Sequence, residues 1–160
     1  MLDIQDRVHF PSVNPILEGF EDTELAKVYN MADVYVSNSV AEGFGLPILE
    51  AQACGIPAIV PNNSSQTELV KGHGYVFESL PMDIYHEVPV YVPQLTRYPV
   101  PNQKHLLSAL EFMYNEEEFR MKYGMKSREF AKQYDWKKIM PLWFKLLRKV
   151  ESEINMLKFL

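Results

Sequence analysis

The stretch from Asp33 to Gly55 constrains the fold of this chain more than any other. Asp33-Val34-Tyr35-Val36-Ser37 reads as a short buried strand, β-branched and bounded by polar residues. Glu42-Gly43-Phe44-Gly45-Leu46-Pro47 follows as a glycine-rich loop, and Pro47 suits the first turn of a helix that runs from Ile48 to Cys54 until Gly55 stops it. The unit is strand, loop, helix. It places Glu42 at the carboxyl end of the strand and Glu50 about one turn into the helix, so both are able to face one crevice beside backbone N–H groups that favour an anion.

That arrangement suits a nucleotide-sugar pocket. Gly43 and Gly45 allow close approach of a ligand and φ > 0. The helix N-terminus is able to hold a diphosphate without a metal, and carboxylates accept hydrogen bonds from paired sugar hydroxyls. A branched residue at Gly45 is therefore expected to harm ligand binding more than folding. The plainer alternative is a tight strand-to-helix connection with two solvated glutamates.

The rest of the chain alternates in the same way. Arg7 to Phe10 reads as a strand and Pro11 to Gly19 as a loop. Asp22 or Thr23 caps a helix carrying Leu25, Val28 and Tyr29, Ala58-Ile59-Val60 is a strand, and Ser65-Gln66-Thr67-Glu68 has capping-box spacing before a short helix that ends at Val70. Gly74 to Phe77 is a further strand. Such alternation predicts an α/β domain with a parallel, Rossmann-like sheet and helices on both faces, with ligands bound outside the carboxyl ends of the strands.

Residues 79–101 interrupt the pattern with five prolines and tyrosines at 85, 91 and 98. They read as an insertion, an extended excursion or irregular hairpin that covers a sheet edge or shapes the cleft. From Asn102 the chain is helical. One helix carries Leu106, Leu107, Leu110 and Met113, a second runs from Glu116 to about Gln133, and a third starts near Asp135-Trp136 with Ile139, Met140, Trp143, Leu146, Leu147 and Val150 on one side. Pro141 should kink or shorten that helix. Its apolar side is expected to pack on the core, although its lysines and arginines also suit a peripheral membrane contact.

A net charge of −5 offers no general field for nucleic acid. The single cysteine, Cys54, excludes an internal disulfide, suits a reducing, cytoplasmic compartment and reads as inert packing. The histidines at 9, 73, 86 and 105 lack metal-ligand spacing, and His73, between two glycines, reads as a solvated turn residue.

The runs Tyr29 to Ser39, Glu42 to Ala51 and Gly55 to Val60 closely resemble the retaining glycosyltransferases of the GT-B fold, the large family that includes sucrose synthases and many mannosyl- and glucosyltransferases. The signature of that family is a Glu, seven residues and a second Glu, matched here by Glu42 and Glu50. The resemblance extends from about Val8 to about Val150 and implies a partial C-terminal, donor-binding domain. It implies hexosyl transfer from a nucleoside diphosphate sugar to a hydroxyl of a glycan, lipid or small molecule, without metal or other cofactor, with an N-terminal GT-B domain supplied in cis or trans. Glu42 would bind sugar hydroxyls and place the anomeric carbon. Glu50 would bind the ribose, and the loop Gly43, Phe44, Gly45 and Leu46 would hold sugar or phosphate oxygens. His9, Phe10 and Pro11 stand where relatives contact the base. Asn38 and Ser12 depart from the family pattern, which usually has Pro and Gly there. A regulatory or scaffold subunit that keeps only the fold is the alternative from another class, and a nucleotide-sugar epimerase fits the glutamate spacing less well.

Overall fold

The central strand of the sheet is built from Ala58-Ile59-Val60-Pro61, all four residues buried. The computed structural model describes residues 5–9, 19–81 and 99–157. Side chains alternate across a strand, so Ala58 and Val60 enter one core with Ile48, Leu69 and Val70. Ile59 enters another with Phe77, Ala109 and Met113. Each fully buried Val, Leu, Ile, Phe or Met side chain among them contributes roughly 1.5–3 kcal/mol. A strand apolar on both faces demands helices on both faces, and these are present.

The strands are β1 (Tyr35–Val36), β2 (Ala58–Pro61) and β3 (Tyr75–Phe77), in the order β1-β2-β3. Both pairings are parallel, with Tyr35 opposite Ala58 and Ile59 opposite Tyr75. The helices α1 (Asp22–Asn30), α2 (Leu46–Ala53) and α3 (Ser64–Val70) connect or precede them. The C-terminal helices are α4 (Gln103–Asn115), α5 (Glu117–Ala131) and α6 (Trp136–Leu157), with a short 3-10 helix, Lys132–Tyr134, before the last. α2 packs chiefly on α5, and α4 covers β2 and β3. The α/β fold with a helical C-terminus is as expected.

Several local expectations fail. Arg7 to His9 are not a strand: Gln5–Arg7 is a 3-10 helix, and Val8 and His9 are exposed without a ladder partner among the described residues. One β-branched side chain with no neighbouring strand to pair with gives too little to hold an extended segment. β1 is half exposed, because it lies at the edge of the described sheet. Helix α1 follows Glu21, with Asp22 already inside it. Helix α3 follows Asn63, and no side-chain cap bond closes the expected box. In α4 the buried residues are Ala109 and Met113, while Leu107 and Leu110 stay exposed. Asn102 does cap α4, accepting from the Lys104 and His105 N–H groups.

Helix α6 also departs from expectation. It continues through Pro141 for 22 residues, and among the described residues its apolar side is not covered by the core. Trp136, Trp143, Phe144, Leu147, Val150 and Ile154 are all exposed. Of the 79–101 segment, Ser79–Leu80 pairs antiparallel with Val100–Pro101, so its two ends meet as in a hairpin. Its middle lies outside the described residues, as does most of the Pro11–Gly19 loop.

Candidate functional site

The parallel sheet delivers the ends of β1 and β2 to the same edge, and Glu42 is held there by its own backbone. The loop leaving β1 starts with Ser37, whose N–H continues the ladder to the Ile59 carbonyl. The Ser37 hydroxyl donates to Gln66 Oε1 at 2.6 Å. Gln66 Nε2 in turn donates to the Ser39 carbonyl at 3.1 Å and to Asn63 Oδ1 at 2.8 Å. Ser37, Asn63 and Gln66 are buried, and buried polar groups persist when paired in this way. The Ser39 hydroxyl donates to Glu42 Oε1 at 2.8 Å, and the second carboxylate oxygen of Glu42 has no partner among the described residues.

Beyond Glu42 the chain turns into α2. Gly45 is its N-cap, with φ +97° and ψ +50°, the left-handed region in which only glycine is unstrained. Gly43 is not in that region and is exposed, and a Cβ there would meet nothing within 4 Å. Pro47 brings no N–H, and the N–H groups of Ile48 and Leu49 return to the Gly45 carbonyl. The amides left at this end of α2 are those of Phe44, Gly45 and Leu46, which find no acceptor among the described residues. Phe44 is partly exposed and meets Tyr134 edge-on, with ring centroids 5.7 Å apart.

Glu50 lies half-buried on α2 and accepts a hydrogen bond from the Tyr29 hydroxyl of α1 at 2.9 Å. Burial, that bond and the Glu50 charge together hold the Tyr29 phenol well above its ordinary range. Burial also raises the Tyr35 phenol on β1, and after burial the causes are the negative charges of Glu42 and Glu50. A cavity of about 410 Å³ adjoins Glu50, lined also by Leu49, Ala53, Arg128 and Tyr134.

The other expected residues divide. His9 is exposed, and Phe10 and Pro11 lie outside the described residues. Cys54 is the half-exposed cap of α2, and burial raises its thiol, which suits inert packing. His73 is not a solvated turn residue. It is buried, with its ring stacked on Phe130 at 4.1 Å and its Nε2 2.6 Å from the Leu69 carbonyl. The turn glycines around it concealed an aromatic partner 57 residues away (130 − 73). The sequence reading also missed Tyr29, Ser64 and Ser65, whose contacts with the two glutamates bridge separate elements and leave no local pattern.

Among the described residues no group of three His, Cys, Asp or Glu is placed to hold a metal, and no helix is long and apolar enough to cross a membrane.

Comparison with known proteins finds similarity over parts of the chain. Over 62 residues, 39% of this chain and 16% of the relative, the chain is 42% identical to the O-antigen chain mannosyltransferase B of Escherichia coli. Over 58 residues, 36% of this chain and 12% of the relative, it is 45% identical to D-inositol 3-phosphate glycosyltransferase 2 of Catenulispora acidiphila. These matches take in well under two thirds of the length of the curated relatives. In three dimensions the chain is similar to sucrose-phosphate synthase from Thermosynechococcus elongatus, with a TM-score of 0.71 at 22% identity, covering 94% of this chain and 32% of that one. This likeness bears out the fold. The family described as "Glycosyl transferases group 1" matches residues 4–84, which is just over half of the 160 residues and includes both glutamates. The chain belongs to the glycosyl transferases group 1 family.

Proposed function

We propose that this chain supplies the donor-binding part of a retaining glycosyltransferase that moves a hexosyl group from a nucleoside diphosphate sugar to a hydroxyl acceptor. The observation that carries this reading is the Glu42 carboxylate, held by the Ser39 hydroxyl at 2.8 Å, close in sequence to the Phe44, Gly45 and Leu46 amides that find no acceptor among the described residues. The free oxygen of Glu42 binds hydroxyls of the sugar ring and places the anomeric carbon. Glu50, oriented by Tyr29, accepts from the ribose hydroxyls. The N–H groups of Phe44, Gly45 and Leu46 hold diphosphate or sugar oxygens and stabilise the charge that grows on the leaving group. In a front-face displacement the leaving phosphate oxygen takes the acceptor proton, so neither carboxylate is needed as a base.

On this reading the diphosphate is held by amides and not by a metal, and His9 with the adjoining loop meets the base. The exposed apolar side of α6 is the surface that meets an N-terminal GT-B domain, supplied in cis or in trans. One relative is named a mannosyltransferase, so a mannosyl donor is the first to try within a panel of uridine, guanosine and adenosine diphosphate hexoses. A non-catalytic subunit would have no reason to keep the Glu42 carboxylate half free and oriented.

The test is transfer by the complete, two-domain protein, with the product anomer read by proton NMR and the rate measured with and without chelator. Retention of configuration and an unchanged rate under chelator are expected. An inverted product, or activity lost to chelator and restored by magnesium or manganese, contradicts the mechanism.

A further inference from the structure

The peptide of Glu42 is gripped from both sides by two consecutive serines at the start of α3. The Ser64 hydroxyl accepts from the Glu42 N–H at 3.1 Å, and the Ser65 hydroxyl donates to the Glu42 carbonyl at 2.9 Å. The Ser64 hydroxyl also donates to Asn63 Oδ1 at 3.2 Å, which ties the grip to the buried Asn63–Gln66–Ser37 network. To make its contact Ser64 adopts φ +48°, and it is the one non-glycine residue with positive φ among those described. A side chain in the left-handed region is strained and persists only where its surroundings impose it. A glycine would occupy this position with less strain but would offer no hydroxyl.

We propose that Ser64 and Ser65 are positioning residues that fix the Glu42 peptide, so that the carboxylate already oriented by Ser39 is presented to the donor sugar without reorganisation. The proposal deepens the donor-site reading above and rests on it for the ligand, but not for the grip itself. Neither serine touches the reacting atoms; each acts through Glu42. The strain at Ser64 is then a cost in stability retained for a function, and its removal should separate the two.

The experiment uses three variants of the complete protein: Ser64→Gly, Ser65→Ala and Ser65→Thr. The readouts are thermal melting, hydrogen exchange at the Glu42 amide, and kcat and KM with a nucleoside diphosphate hexose. Ser64→Gly is expected to melt at or above the wild-type temperature, to exchange its Glu42 amide about tenfold faster or more, and to lose about tenfold in kcat with little change in KM. Ser65→Ala should lose kcat in the same way, and Ser65→Thr, which keeps the hydroxyl, should restore it. Unchanged exchange overturns the proposal, and so does faster exchange with unchanged kcat. A Ser64→Gly protein that melts markedly lower makes the serine merely structural and also overturns it. If the wild-type protein transfers no sugar, the functional reading fails by itself, and exchange at Glu42 still decides whether the serines hold that peptide.

Discussion

Gly43 and Gly45 flank the same phenylalanine, yet their surroundings make them opposite kinds of residue. A Cβ on Gly43 would meet nothing within 4 Å, whereas one on Gly45 would lie 3.0 Å from Ile48 Cδ1 and 3.2 Å from Leu69 Cδ1, on a backbone at φ +97°. Gly45→Val should therefore destabilise the fold by roughly 2–4 kcal/mol, through left-handed strain and overpacking together. The expectation that a branched residue there harms ligand binding more than folding took no account of these two contacts. Gly43→Ala should melt like the wild type, since the added methyl faces open space, but bind a nucleoside diphosphate sugar more weakly if the donor approaches through that space as proposed. Melting curves and donor titration of both variants check the contrast, and a Gly43→Ala protein with wild-type affinity would remove the close approach at that position. His73 carries a different prediction. Burial first, and then Lys126, hold its imidazole below the ordinary 6.5, against the opposing pull of the Leu69 carbonyl. The unfolded chain then takes up the proton first as pH falls, so this stability is complete above pH 6.5 and is lost below it. Denaturant midpoints measured from pH 8 to pH 5 should fall in the wild type, and less steeply in His73→Gln. Sequence spacing found Glu42 and Glu50 because they share one loop and helix. It could not tell the two glycines apart, because only the distant Leu69 and the packing of Ile48 distinguish them.

At the level of elements, α5 meets the turn that follows α2 where two glycines face each other. A Cβ on Gly124 of α5 would fall on the Gly55 carbonyl oxygen, well inside contact distance. Helix propensity alone favours Ala over Gly by about 1 kcal/mol, but a backbone carbonyl does not yield as a flexible side chain does. Gly124→Ala is thus expected to be net destabilising by about 1–3 kcal/mol, a drop of several degrees in melting temperature. An unchanged or raised melting temperature would show that the two helices separate freely. Element order was legible throughout the centre of the chain, where turn residues and apolar runs coincide with β2, α2 and β3. Faces were less legible. Leu107 and Leu110 have the same periodicity as Met113, yet α4 rotates Ala109 and Met113 inward against Ile59 and Phe77. Ser65 to Glu68 has the spacing of a capping box, but both serines at the start of α3 are engaged with the Glu42 backbone instead. In each case a tertiary contact displaced the local preference.

For the whole molecule the informative feature is what the described residues leave uncovered. Helix α6 has a strongly one-sided apolar surface, and among the described residues it touches little beyond the 3-10 helix at its root. Its amphipathic pattern was evident in the sequence, but what it packs against was not, because periodicity shows that a face needs burial without showing where. The root of α6 also adjoins the loop before α2: Tyr134 meets Phe44, and the Tyr134 ring lies 5.4 Å from that of Phe130. The proposed function gives the two carboxylates different roles. Calorimetric titration of nucleoside diphosphate into the complete protein and its Glu42→Ala and Glu50→Ala variants tests this most directly. Glu50→Ala should weaken binding by about 1.5–3 kcal/mol, the scale of hydrogen bonds to a charged group, while Glu42→Ala should bind the free nucleotide as the wild type does and lose turnover. Equal losses of nucleotide affinity in the two variants, or none in Glu50→Ala, would contradict the account.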